Sequence, residues 1–252
     1  MKHASLFSGI GGFDLAAEWM GWENVFHCEI DEYNQKLLNK HYPKADNYGD
    51  IQQFDATKYK NKINILTGGF PCQDISVAGK AIGISGARSG LWREYVRIIK
   101  ETNCDFIVAE NSPNLLNKGF EKILYDLSEI GFNAEWECLS ASWFGFPHER
   151  ERIYIVAYSQ RFRWEMGLLN KLKRKSIELF NKTSNTFDVY SKIKEFERRG
   201  DSDDIRINNG IPFAPHRIKG CGNAVVPQVA FEIFKAIELS RELYGGVAKL
   251  AK

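Results

Sequence analysis

No apolar run in the 252-residue chain approaches the ~20 residues a membrane-spanning helix needs; the longest are short, such as Ile153 to Ala157. The N-terminus has one Lys and reaches Gly9, Gly11 and Gly12 before any apolar stretch forms, so no secretory leader is expected. Its five cysteines stand at least 32 residues apart and make no CxxC pair, which disfavours a zinc site or a disulfide framework. No metal is expected, and the thiols fit a reducing cytoplasm. Internal repeats and long low-complexity segments are missing too. At 44% hydrophobic and 26% charged, wholesale disorder and collagen-like order are excluded, and one large domain with a small companion is accessible.

An excess of one charge sign is also lacking. The chain holds 34 Lys+Arg against 32 Asp+Glu, for a net +2. The distribution is more informative. Residues 161–200 carry 11 Lys/Arg against five acids, so a basic block stands on a mildly acidic remainder.

What is present up to about residue 157 is an alternation of short apolar runs with helical periodicity. Ala4 to Phe7, Asn24 to Cys28, Ile63 to Thr67, Phe106 to Ala109 and Ile153 to Ala157 read as strands. Between them, helices are expected over Asp14 to Met20, around Tyr33 to His41, through Trp92, Val96 and Ile99, and through Ile123 to Ile130, which Gly131 closes. Ile63 to Thr67 and Phe106 to Ala109 suit buried parallel strands, and the alternation implies an α/β sheet wound by helices on both faces. Residues 158–214 are polar, basic and weakly periodic, and read as a small inserted domain or a large excursion. An amphipathic closing helix is expected over Val225 to Leu239.

Three motifs fall where an open α/β sheet binds ligands, at the carboxyl ends of its strands, and a fourth enters a strand. Phe7-Ser8-Gly9-Ile10-Gly11-Gly12 is a glycine-rich strand-to-helix turn without the full spacing of a dinucleotide fingerprint. Glu29, ending the next strand, suits ribose hydroxyls, and Asp50 an adenine amino group. Gly68-Gly69-Phe70-Pro71-Cys72-Gln73 holds a thiol in a tight turn, where it can act as a nucleophile, and a glycine-rich lid over residues 73–90 follows. Ala109-Glu110-Asn111-Ser112 brings a carboxyl group to the same sheet edge, suited to protonating a ring under attack. His148-Glu149-Arg150-Glu151-Arg152 puts two arginines on one face of an extended segment.

Together with Gly222-Asn223-Ala224-Val225-Val226-Pro227, these motifs in this order resemble the DNA cytosine-C5 methyltransferase family over about residues 3–157 and 217–240. The resemblance implies a Rossmann-like S-adenosylmethionine-dependent methyltransferase fold with a small inserted target-recognition domain. Residues 1–157 plus 215–245 would form the catalytic, cofactor-binding domain and 158–214 the recognition region. It implies Cys72 as the nucleophile on C6 of a flipped cytosine, Glu110 at N3, Arg152 at O2 and Arg150 in support. For S-adenosylmethionine it implies Phe7, Gly9, Ile10, Gly12, Glu29, Ile30, Asp50, Ile51, Leu91, Asn223, Ala224 and Val225. For DNA it implies Phe70, Pro71, Gln73, Ser76 and Arg88.

Double-stranded DNA is the implied partner of a cytoplasmic, monomeric enzyme with no membrane role. It would be solitary or part of a restriction-modification system whose endonuclease lies on another chain. Departures from the family pattern are His148 in place of Gln, a reduced motif over Ile211 to Lys219 and a short recognition segment. One alternative keeps the reaction but moves it to tRNA; another is a DNA-binding module that has lost catalysis.

Overall fold

A computed structural model describes residues 1–71, 90–117, 119–146, 149–161, 167–184 and 224–245. Among them are the strands β1 (Lys2–Leu6), β2 (Glu23–Cys28), β3 (Asp46–Tyr48), β4 (Ile65–Gly69), β5 (Phe106–Asn111), β6 (Phe132–Ser140) and β7 (Glu151–Ser159). The helices are α1 (Gly12–Trp19), α2 (Glu32–His41), α3 (Gly90–Thr102), α4 (Phe120–Glu129), α5 (Leu168–Ser184) and α6 (Pro227–Gly245). The strands form one sheet in the order β3-β2-β1-β4-β5-β7-β6. The first five run parallel, and β7 pairs antiparallel with both β5 and β6. The strand order therefore reverses between β1 and β4, which opens a crevice at their carboxyl ends. No helix among the described residues is long and apolar enough to cross a membrane.

Period-two alternation separates two cores. Ala4, Leu6, Ile107, Ala109, Ile153 and Ile155 face one side, where Tyr95, Ile98 and Ile99 of α3 and Ile123 and Leu127 of α4 cover them. Ile65, Phe106, Val108, Tyr154 and Val156 face the other, under Phe13, Ala16 and Ala17 of α1 and Ile233, Phe234 and Ile237 of α6. All six residues of β5 are buried, as a strand covered on both faces requires.

Two strands escape the hydrophobic pattern. β3 has three residues and no apolar run, and β6, at the opposite sheet edge, interrupts its apolar positions with Asn133, Glu135 and Glu137. The start of the basic block is more ordered than its polarity suggests. Helix α5 buries Leu169 in the core beside α6, receives its first turn through a Gly167 N–H donated to Glu135 (3.1 Å), and pairs Lys173 with Glu137 (2.7 Å). The other residues expected to form the inserted domain, 162–166 and 185–214, lie outside the described residues.

Closure of α6 on the body makes one glycine indispensable. A Cβ on Gly12 would lie 2.5 Å from the Val225 carbonyl oxygen and 3.1 Å from its Cβ. Gly12→Ala is expected to cost about 1–3 kcal/mol through overpacking. At roughly 2–4 °C per kcal/mol for a chain of this size, thermal melting should show a fall of several degrees. Gly90→Ala, where an added Cβ meets nothing within 4 Å, should melt like the wild type.

The α1 face of the sheet also holds ionisable groups. His3 and Asp14 are fully buried. Burial drives His3 below its ordinary 6.5, only partly offset by the Asp14 charge and the bond to Asn24. For Asp14 burial acts upward, but the His27 bond and charge, His3 and Ser5 outweigh it and hold the carboxyl below 3.8. Both groups bind protons more readily in the unfolded chain, so both contributions are present at neutral pH and are lost on acidification. Melting temperatures should fall from about pH 6.5 downward through His3, with the Asp14 loss following below about 3.8. His3→Gln should flatten the upper part of that profile.

Candidate active site

At the end of β1 the chain turns sharply: Phe7 has φ 51°, and Gly9 and Gly11 follow at 57° and 88°. A non-glycine residue in the left-handed region is uncommon, and the surrounding packing holds it there. The turn directs the Gly9 amide at Glu29, whose Oε2 accepts it at 2.7 Å. Oε1 of Glu29 accepts the Asp31 amide at 2.8 Å, and its carbonyl accepts Gln35 Nε2 at 2.7 Å. Glu29 is thus fixed from the end of β1 and from the start of α2, where Asp31 caps the helix by accepting the Asn34 amide.

Beyond β3, Asp50 and Ile51 form the next wall. Arg97 of α3 pins this loop by donating to the carbonyls of Ile51 (2.7 Å) and Phe54 (2.8 Å). Its guanidinium is itself held by Glu94 and Glu101. At the end of β4, Phe70 packs on Trp92 with ring centroids 5.2 Å apart, and its carbonyl accepts Asn111 Nδ2 at 3.0 Å. That bond ties the base of the Pro71 turn to the end of β5.

Glu110, next to Asn111, stands beside Gly69 on one side and Tyr154 on the other. A Cβ on Gly69 would come within 3.0 Å of Glu110 Oε2, so the glycine leaves the room this carboxyl group occupies. Arg152 Nε lies 3.1 Å from Glu110 Oε1. Glu110 is only 7% exposed. Burial pushes its carboxyl above the ordinary range, and Arg152 and Arg150 pull it only part of the way back. Burial likewise lowers Arg150, with the Arg152 charge adding to the effect.

These strand ends enclose a cavity of about 790 Å³. Its wall brings together thirteen of the residues singled out in the sequence: Phe7, Gly9, Glu29, Ile30, Asp50, Ile51, Phe70, Pro71, Leu91, Glu110, Arg150, Arg152 and Ala224. Ile10, Gly12 and Val225 are not on that wall; Gly12 and Val225 pack on each other. Cys72, Gln73, Ser76, Arg88 and Asn223 lie outside the described residues, as does His148. Asp31, Asn34 and Cys28 line the cavity without having been singled out. The helix-cap pattern of an Asp before a helical run was the signal available for Asp31.

The cavity is electrostatically divided. Glu29, Asp31 and Asp50 make one end acidic, while the Glu110 carboxyl and two guanidinium groups occupy the other. Acids suit hydroxyl and amino donors and repel a pyrophosphate, so the acidic end fits a nucleoside ligand without phosphates. Ile30, 72% exposed at this rim, offers an apolar surface to a ring. No group of three or more His, Cys, Asp or Glu arranged for a metal ion occurs among the described residues.

Comparison with known proteins gives a consistent picture. The family model for C-5 cytosine-specific DNA methylases matches residues 1–211. The chain is 39% identical over 158 residues to the type II methyltransferase M.Eco47II of Escherichia coli, covering 60% of this chain and 38% of the relative. It is 34% identical over 202 residues to the orphan methyltransferase M.SPRI of Bacillus phage SPR, covering 73% and 46%. M.HhaI of Haemophilus parahaemolyticus is 31% identical over 195 residues, covering 74% and 55%. The chain thus spans about half the length of the curated relatives it matches. Among solved structures, S. pombe Dnmt2 superposes with a TM-score of 0.57 at 21% identity, covering 68% of this chain and 55% of that one. A Spodoptera frugiperda DNMT2 variant gives 0.56 at 24%, covering 66% and 52%. These two likenesses concern the fold.

Proposed function

The chain belongs to the C-5 cytosine-specific DNA methylase family, and on that premise we propose that it transfers a methyl group from S-adenosylmethionine to C5 of cytosine in duplex DNA. One observation carries the reading. A buried, protonatable Glu110 paired with Arg152 shares a cavity with an amide-anchored Glu29, at the strand end that leads into Cys72.

The residues present fit the cofactor. Glu29, held by two backbone amides, keeps lone pairs for ribose hydroxyls. Asp50 and the apolar Ile30 and Ile51 suit an adenine, and the acidic end tolerates no phosphate. Phe7, Gly9, Leu91 and Ala224 complete the wall, Ile10 and Gly12 set the glycine turn behind it, and Asn223 and Val225 would contribute beside Ala224. When bound, S-adenosylmethionine supplies an electrophilic methyl group.

The chain's own residues supply the rest. The Cys72 thiolate forms a bond to C6 of the base, and the electron pair of the C5–C6 double bond moves toward C4 and N3. Glu110 holds a proton at N3 as charge builds there, which its raised pKa favours. Arg152 and Arg150 face O2 and keep Glu110 oriented. After C5 is methylated, its proton passes to solvent water, the electron pair of that C–H bond re-forms the C5–C6 double bond as the Cys72 sulfur departs, and N3 returns its proton to Glu110. A base inside a duplex cannot reach these groups, so it must be flipped out. Phe70, Pro71, Gln73, Ser76 and Arg88 would hold it and the adjoining backbone. The basic residues of 158–214 would contact phosphates and read the target, forming the recognition region beside a catalytic domain of 1–157 plus 215–245.

The reading is tested by mixing the chain with S-adenosylmethionine and a sequence-diverse duplex pool containing 5-fluorocytosine, with total tRNA assayed in parallel. A fluorine at C5 cannot leave as a proton, so the adduct is trapped and resists denaturing electrophoresis. Absence of any adduct, methyl labelling of tRNA alone, or tight DNA binding without transfer would each defeat the reading.

A further inference from the structure

Beneath the Phe7–Gly12 turn lies a group of polar side chains that the methyl-transfer chemistry does not use. Asp14, Ser5 and His27 are fully buried, and Ser8 nearly so. A buried carboxylate is unfavourable unless hydrogen-bonded and paired, and apolar residues would fill the same space at less cost. The group therefore calls for a reason beyond packing.

Its connectivity supplies one. Ser5 and His27 are register partners on adjacent parallel strands, so their side chains emerge on the same face. Asp14 reaches them from the first turn of α1. Its Oδ1 accepts His27 Nδ1–H at 2.9 Å, and Ser5 Oγ donates to the carboxylate at 2.9 and 3.1 Å. The single Ser5 hydroxyl proton is committed to that carboxylate, so the 2.6 Å contact between Ser5 and Ser8 is donated by Ser8. The Ser8 amide in turn donates to the Cys28 carbonyl at 3.2 Å. Asn24 Nδ2 donates to the Asp14 carbonyl at 3.0 Å and fixes the helix itself. One carboxylate thus ties together β1, the turn after it, α1 and β2. The next residues outward are Gly9 and Glu29, whose 2.7 Å bond forms the cavity wall.

We propose that Asp14, Ser5, Ser8 and His27 are positioning residues for the cofactor. Through bonds to both strand ends, the buried Asp14 carboxylate holds the turn in the one register where the Gly9 amide meets Glu29, and so sets the ribose-binding end of the cavity. The ligand named here rests on the methyltransferase reading; the network does not. The net charge-stabilising effect of its partners, which holds Asp14 ionised despite burial, agrees with this arrangement. His27 Nε2 is buried with no hydrogen-bond partner, so the ring is retained for its Nδ1 donor.

The test uses the full chain and the variants Asp14→Asn, Ser8→Ala, His27→Leu and His27→Asn. Measurements are S-adenosylmethionine affinity by calorimetry, KM and kcat at saturating DNA, and backbone amide exchange at Ser8 and Gly9 without cofactor. Asp14→Asn and His27→Leu are expected to weaken cofactor binding and raise its KM tenfold or more, with kcat within about threefold. Ser8→Ala, at the end of the relay, should give about threefold. His27→Asn keeps a donor near the Nδ1 position and should restore most of the affinity that His27→Leu loses. Exchange at Ser8 and Gly9 should quicken at least tenfold in Asp14→Asn. If the folded variants melt earlier but keep wild-type affinity, KM and exchange, the residues only support the fold and the proposal is overturned. Should Asp14→Asn fail to fold, Ser8→Ala and the His27 pair decide in the same terms. If the wild type does not bind S-adenosylmethionine, the functional reading fails. Amide exchange then still decides the network: faster exchange upholds it and unchanged exchange overturns it.

Discussion

Glu110→Gln is expected to lower kcat by about 10²–10⁴, the range contributed by a positioned general acid or base. The substitution keeps the shape of the side chain and can still offer a hydrogen bond to N3, but it cannot deliver or take back a proton. Burial supplies the driving force in the wild type: it raises the carboxyl's pKa, and the nearby Arg152 and Arg150 recover only part of the shift. A raised pKa means the protonated form persists to higher pH than for an exposed glutamate. It is lost as pH rises, so wild-type kcat should decline on the alkaline side through Glu110. That limb should be absent from the residual activity of Glu110→Gln. Steady-state kinetics on methylatable duplex between pH 5 and 9 would show it. A variant with full activity, or with the same alkaline limb, would remove Glu110 from the chemistry. Cofactor affinity should change little, because Glu29 and Asp50 lie at the other end of the cavity.

Cys72→Ala is expected to abolish transfer, with less than about one thousandth of wild-type activity and no 5-fluorocytosine adduct, because no thiol among the described residues is suited to replace it. Cys28 does line the cavity, but burial drives its thiol to about 12, helped by the Glu29 and Asp50 charges. Its Sγ also lies 3.3 Å from the Gly49 carbonyl, as a donor. Cys104 is wholly buried and likewise driven to about 12. Cys138 is raised by burial and by Glu151 and Glu137. The reactive species is the thiolate, which burial and neighbouring carboxylates disfavour in all three. Single-turnover methylation and gel trapping would measure the effect. Appreciable transfer by Cys72→Ala would refute the covalent route.

Much of the fold was legible because its period-two pattern is strong. β5 and β7 alternate cleanly between two cores, and α3 and α4 present their apolar residues at helical spacing. The misses share a cause. β3 and β6 are the two sheet edges; β3 is short and polar, and in β6 Glu135 and Glu137 conceal a nine-residue strand because they bond Gly167 and Lys173 instead of packing apolar groups. Helix α5 was hidden by its charge, since Leu169 and a few neighbours suffice to dock it while Lys171, Arg174 and Lys175 stay exposed. In the site, Glu29, Asp50, Glu110 and Arg152 were identifiable as motif residues. Asp31 and Asn34 were not, because ordinary helix-cap residues become cavity walls only when the strand ends converge.

The sequence by itself determined the order of five strands and five helices, the glycine turn, and which carboxyl and thiol groups follow strands. Those are local matters of periodicity and backbone freedom. Only the tertiary structure decided that β7 inserts antiparallel between β5 and β6, which carries Arg152 to within 3.1 Å of Glu110. It also decided that Asp14, unremarkable on a short helix, is fully buried between Ser5 and His27. In both cases the partners come from different elements and meet only in the folded chain, where burial raises the Glu110 carboxyl while the His27 bond and charge outweigh burial and lower that of Asp14.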